Sequence, residues 1–222
     1  PRQPSPAPPA AAVPRAAGAP AEVPPVPRSA SSCTQAVSAC GRKGLWKQAL
    51  QLLAAAHSER LELTTITFNA AVTACGRCRR WEQAVGVLSD MLRWEVEPDV
   101  VTYCATMKAC EVAQHWEQTL ALLGELRQRA LEPDRLTFAA AVSACAKGDR
   151  WQDALGLLAE MGQRRLPPSA ALYCAAARAM RWEGQWAQAL AVLEEMGAVG
   201  LEPDRVALAA AVGACSQGRR SD

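Results

Sequence analysis

VVTYCATMKACEVAQHWEQTLALLGELRQRALEPD, residues 100–134, is the stretch on which the rest of the chain is patterned. It is thirty-five residues long, and it recurs at that interval. A shift of thirty-five carries Trp116 onto Trp151 and Trp186; the opposite shift carries it onto Trp81 and Trp46. The same register holds Cys40, Cys75, Cys110, Cys145 and Cys215, with Met180 replacing cysteine once, and it holds Pro98, Pro133, Pro168 and Pro203. A fixed period of this size marks stacked supersecondary units.

Within one unit the apolar places fall into two sets. In the second unit they are Phe68, Ala71, Val72 and Cys75, then Trp81, Ala84, Val85 and Leu88. Spacings of three and four describe an apolar helical stripe, here twice over. Residues 41–44, 76–80 and 147–150 supply the breaks between the two helices. A Glu-Pro-Asp or Pro-Pro-Ser turn ends each full unit after the first, because proline cannot extend a helix and restricts the residue before it. Each unit is a helical hairpin, and one hairpin cannot bury both its faces alone. The tenth place is always alanine (Ala39, Ala74, Ala109, Ala144, Ala179 and Ala214), small enough for two helices to approach closely. The tryptophans are expected to be buried. The fold class is therefore all-α, a solenoid of stacked 35-residue hairpins.

Residues 1–29 read as a Pro/Ala-rich disordered tail or linker, and residues 30–222 as the repeat array. Its units are 30–64, 65–99, 100–134, 135–169 and 170–204, with a part-unit at 205–222. The chain opens on Pro1 and closes inside a unit, which points to a piece of a longer protein. The tail is rich in arginine relative to acid, as transit peptides are, but its proline content suits a linker equally. Net charge is +2, and the array itself is close to neutral, which offers little support for a nucleic-acid partner. No apolar run approaches the roughly 20 residues of a spanning helix. Of the nine cysteines, five fall on the buried stripe of the first helix, where a free thiol serves as a small hydrophobe. A reducing, intracellular or organellar compartment follows.

The unit V-V-T-Y…C…W…A-L…L…E-P-D, with its Thr-Phe or Thr-Tyr opening and its Pro-Asp close, resembles the pentatricopeptide repeat family of RNA-binding solenoids. The resemblance implies an all-α, right-handed superhelical α-solenoid with single-stranded RNA laid along the first-helix face, one base per repeat, each base read by two or three side chains. By that resemblance the base-reading pairs are Thr34 with Thr64, Asn69 with Asp99, Cys104 with Asp134, Ala139 with Ser169, and Cys174 with Asp204. The base-stacking clamps are Ser31, Ile66, Val101, Leu136, Ala171 and Val206, for which ordinary packing is the alternative. The phosphate contacts are Arg42, Arg77 and Lys147, and Val112, Trp182 and Gln217 interrupt that line. Asn69 with Asp99 is the standard pair, favouring uracil and then cytosine. Ala139 has no polar side-chain atom, and cysteine is a poor hydrogen-bond partner. The expected discrimination between bases is accordingly weak.

One further pattern is set aside. His57-Ser58-Glu59 followed by Cys75 and Cys78 has the outline of a zinc deaminase site. Cys75, however, is the repeat's buried eleventh residue, and the histidine and the cysteines belong to different hairpins. No metal, cofactor or catalytic residue is expected. His115 reads as a solvated loop residue, and Asp90, Glu125, Glu160, Glu194 and Glu195 as a solvated face. The function expected is single-stranded RNA binding within an RNA-processing factor of a chloroplast or mitochondrion, with other RNA-processing proteins as possible partners. The alternative is a protein-binding scaffold with no RNA role.

Overall fold

The computed structural model describes residues 29–180 and 186–202, together with positions 205, 208, 209 and 212. Asp204, Val206, Trp182, Gln217, the side chain of Trp186, residues 1–28 and nearly all of the part-unit lie outside the described residues.

The described chain is all helix and turn. First helices are α1 (Ala30–Arg42), α3 (Thr65–Arg77), α5 (Val100–Ala113), α7 (Arg135–Lys147) and α9 (Ala170–Ala179). Second helices are α2 (Trp46–Ser58), α4 (Trp81–Arg93), α6 (Trp116–Gln128), α8 (Trp151–Gln163) and α10 (Trp186–Ala198). Every second helix begins on the recurring tryptophan. No described helix is long and apolar enough to cross a membrane.

The helix ends explain the fixed period. Asp99 and Asp134 cap α5 and α7, each accepting from the backbone N–H three residues on, at 2.8 Å in both cases. The helices α1, α3, α5 and α7 close through the same crossed bond, from the N–H of Leu45, Arg80, His115 and Arg150 back to the carbonyl of Cys40, Cys75, Cys110 and Cys145. That closure needs one left-handed residue: Gly44 supplies it at φ 72°, and Arg79, Gln114 and Asp149 accept it at φ 55–68° without glycine's freedom. An inserted residue would break the crossed bond, so turn length is locked.

First helices pack side by side in one row, α1 on α3, α3 on α5, α5 on α7 and α7 on α9. Each described second helix packs on its own partner, and α2, α4, α6 and α8 pack on the next first helix too, while the described second helices make no comparable contact with one another. The close-packed row is the inner wall of the curve and the spread row its outer wall. The tenth-place alanine makes the close approach: a methyl built on Gly41 would lie 3.2 Å from the Ala74 Cβ, and one on Gly76 would lie 3.2 Å from that of Ala109. Gly41 and Gly76 thus sit inside helices as packing residues, not in the break assigned to them from sequence.

The core runs in two clusters. One joins Cys33, Val37, Phe68, Val72, Cys75 and Met91 with Ala109. The other joins Tyr103, Met107, Cys110, Phe138, Cys145, Leu158, Tyr173 and Met196. Cys75, Cys110 and Cys145 are fully buried, and no disulfide forms among the described cysteines. Burial, with minor help from neighbouring charges at Cys75 and Cys145, pushes these three thiols up to about 12, which leaves them unreactive.

The tryptophans correct the sequence reading. Trp46, Trp81, Trp116 and Trp151 are half-buried, and the first three stand at the mouth of their hairpins and cover the turn of the next. Arg80 lies 5.3 Å from the Trp46 ring, His115 packs 4.2 Å from Trp81, and Arg150 lies 4.6 Å from Trp116. His115 is thus engaged with Trp81 rather than simply solvated. The Trp116 indole covers Gly148, where an added methyl would fall 2.1 Å from its Cδ1. Trp116→Ala is therefore expected to cost about 2 kcal/mol, below the roughly 3–5 kcal/mol of a fully buried aromatic. A thermal melt measures this loss, and an unchanged melt would mean the indole does not hold that junction.

Candidate functional site

The inner wall carries a row of apolar side chains that pack against nothing. Ile66, Val101 and Leu136 are 68, 59 and 66% exposed, at the second place of α3, α5 and α7. Ala171 is exposed at the same place in α9, and Ser31 in α1. Ordinary packing would bury them, so that alternative falls. One large aliphatic group in each of the second, third and fourth hairpins, repeated along one wall, is a surface rather than a core.

Polar reading places lie beside this row, and the structure shows what occupies each. A cleft of about 330 Å³ between the first two hairpins is lined by Ser31, Thr34, Thr64 and Ile66, so four sequence-selected residues meet there. The Thr34 hydroxyl donates to the Ala30 carbonyl at 3.0 Å and lies 2.6 Å from the Thr67 hydroxyl, which leaves it little capacity for a ligand. Asn69 is half-buried, and its Oδ1 is shielded from solvent with no hydrogen-bond partner. Asp99 and Asp134 are exposed but already work as helix caps. Their Oδ1 atoms accept from the Thr102 and Thr137 hydroxyls at 2.8 and 2.6 Å as well as from the backbone. The second oxygen of each carboxylate makes no other hydrogen bond among the described residues. Ser169 caps α9 by position, without a side-chain cap bond. Burial first, and the Asp134 charge second, raise the Cys104 thiol above its ordinary value, so it stays neutral. Ala139 is half-buried and Cys174 buried. The third-place threonines Thr67, Thr102 and Thr137, fully buried between reading places, are a tier that the sequence reading passed over.

The three phosphate candidates differ. Arg42 and Arg77 are exposed at the ends of α1 and α3, and no ion pair engages either among the described residues. Lys147 is held by Glu111: its Nζ donates to Oε1 at 2.8 Å, as does the Ser143 hydroxyl at 2.9 Å. Lys108 Nζ lies 2.8 Å from Oε2 of the same carboxylate. Burial alone would raise Glu111, but the Lys108 and Lys147 ammonium groups and the Ser143 hydroxyl bring it below its ordinary value.

Charge is sorted between the walls. The first helices carry Arg42, Arg77, Lys108, Arg135, Lys147 and Arg178 against one acid, the buried Glu111. The second helices carry Glu82, Asp90, Glu117, Glu125, Asp153, Glu160, Glu194 and Glu195 against Lys47, Arg93 and Arg127. A near-neutral array thus has a cationic inner wall and an acidic outer one. Nor is the outer face simply solvated: Glu125 accepts from the Tyr103 hydroxyl at 2.8 Å, and Glu160 pairs with Arg127 at 2.6 Å and Arg164 at 3.1 Å. The residues of the deaminase-like pattern are separately engaged. His57 stacks on Trp94 at 3.9 Å, and the Cys78 thiol donates to the Gly44 carbonyl.

Comparison with known proteins agrees with this geometry. Residues 63–112 match a family model described as the PPR repeat family, and residues 137–166 match one described as the PPR repeat. The two matched segments are pentatricopeptide repeats.

Among solved pentatricopeptide structures, the maize protein PPR10 superposes with a TM-score of 0.65 at 24% identity, over 88% of this chain and 28% of PPR10. PPR10 in complex with an 18-nt psaJ RNA element gives 0.64 at 26% identity, over 86% of this chain and 28% of that one. The chain therefore spans less than a third of PPR10. The PPR domain of Arabidopsis thaliana protein-only RNase P 1, solved in complex with tRNA, gives 0.70 at 13% identity, over 81% of this chain and 94% of that domain. No curated protein matches the chain.

Proposed function

We propose that this pentatricopeptide array binds single-stranded RNA along its first-helix wall, as one section of an organellar RNA-processing factor. The observation that carries the reading is the row Ile66, Val101 and Leu136, exposed in three consecutive repeats on a wall of positive charge. Aliphatic groups at this spacing suit bases held between neighbouring hairpins, and the cations suit the backbone. PPR10 and the RNase P domain, each solved with RNA, support the same use. Specificity is weak on this reading: Thr34 is committed to protein, Ala139 offers no polar atom, and Cys104 and Cys174 are poor partners. Asn69 with Asp99 remains the pair able to select a base. The repeats bind and do not catalyse.

Binding to a labelled mixed-sequence single-stranded RNA should weaken steeply with salt. Three phosphate contacts predict a log–log slope of about −2. Failure to bind at low salt would leave the protein-scaffold reading in its place.

A further inference from the structure

The phosphate-facing cations do not keep to one place in the repeat. At the thirteenth place stand Arg42, Arg77, then Val112, then Lys147, so the third hairpin has no cation there and the fourth has one that is tied. The tie comes from Glu111, at the twelfth place, where the first two hairpins have Gly41 and Gly76. Its side chain is 5% exposed, wedged between α5 and α7, and its Oε1 accepts from Lys147 and Ser143, both on α7. Were Lys147 to leave for a phosphate, the buried carboxylate would lose its one hydrogen-bonded cation and keep only the ion pair with Lys108, and removing a partner from a buried charge is strongly unfavourable.

Lys108 is in a different position. It stands on α5, one turn before Glu111, with its side chain 64% exposed. Its ammonium is paired with the buried Oε2 but makes no well-aligned hydrogen bond to it, and Lys147 and Ser143 still hold the carboxylate when it leaves, so Lys108 exchanges Oε2 for a phosphate at less cost than Lys147 would. It also lines, with Arg77 and Thr73, a cleft of about 220 Å³ between α3 and α5. The side chain of Lys108 thus fills the gap that Val112 leaves.

We propose that Glu111 withdraws Lys147 from RNA and leaves Lys108, at the ninth place, as the phosphate-binding cation of the third hairpin. The inference rests on the RNA-binding reading above and makes Arg42, Arg77 and Lys108 the contacting row.

The salt dependence of binding to the same labelled single-stranded RNA tests it, with a melting temperature recorded for each variant. Each lost single-strand contact removes about 0.7 from the slope. Lys108→Gln is expected to move it from about −2.1 to about −1.4, whereas Lys147→Gln leaves it unchanged. Glu111→Gln frees Lys147 and is expected to steepen the slope to about −2.8; adding Lys147→Gln returns it to about −2.1. Glu111→Gly, which restores the residue of the first two hairpins, serves if the glutamine variant melts early. A slope lowered by Lys147→Gln in the unaltered background, or unmoved by Lys108→Gln, overturns the proposal alone, provided Arg77→Gln still lowers it. No binding by the unaltered chain, or no effect of Arg77→Gln, removes the RNA reading and this proposal with it.

Discussion

Phe138→Ala is expected to destabilise the array by about 3–5 kcal/mol and to turn one thermal transition into two. Phe138 is fully buried in the cluster built from the third, fourth and fifth hairpins, among Tyr103, Leu122, Leu158 and Tyr173. Hairpins in a solenoid are stabilised by their own packing and by their immediate neighbours. A hole at Phe138 therefore weakens the third, fourth and fifth hairpins together, while the cluster around Phe68, Val72 and Met91 is untouched. At roughly 2–4 °C per kcal/mol for a chain of this size, the weakened part should melt on the order of 10 °C earlier. Hydrogen exchange resolved by helix locates the loss: α7 and α8 should lose protection while α3 keeps it. Uniform loss would show that the two clusters act as one.

The difference between what the sequence disclosed and what it hid follows from what a repeat can encode. Helix starts at Thr65, Val100, Arg135 and Ala170, and at each tryptophan, were legible because the closing bonds of the turns permit no change of length. Burial of Cys75, Cys110 and Cys145 was legible for the same reason. Exposure was harder. An apolar residue at a constant place is equally consistent with a core and with a surface, which is why Trp116 was expected inside and Ile66 had two readings. Only the side-by-side row of first helices settles which face is left open. Glu111 was illegible as a single departure from the pattern, since its meaning depends on Lys147 reaching across from the next helix. The sorting of charge, by contrast, was within reach: total charge conceals it, and sorting charged residues by helix would have exposed it.

The substitution with the largest expected effect on function is Ile66→Asp, Val101→Asp and Leu136→Asp together. Each side chain is more than half exposed and belongs to neither core cluster, so the fold should tolerate the change; surface replacements commonly stay within about 0.5 kcal/mol each. On the proposed function these groups hold three successive bases, and stacking-type contacts are worth about 1–3 kcal/mol per base. Aliphatic clamps belong at the low end of that range, so three of them predict a loss near 3 kcal/mol, about a hundredfold in Kd. The introduced carboxylates would also repel the backbone, which strengthens the effect at low salt. A triple alanine variant separates the two contributions: it removes the clamp without adding charge and should retain the salt slope while losing affinity. Because the folded state does not need these residues, an array that melts normally and still binds RNA with undiminished affinity would show that the bases lie elsewhere. The row would then have to serve a different partner, and the scaffold reading would become the one to pursue.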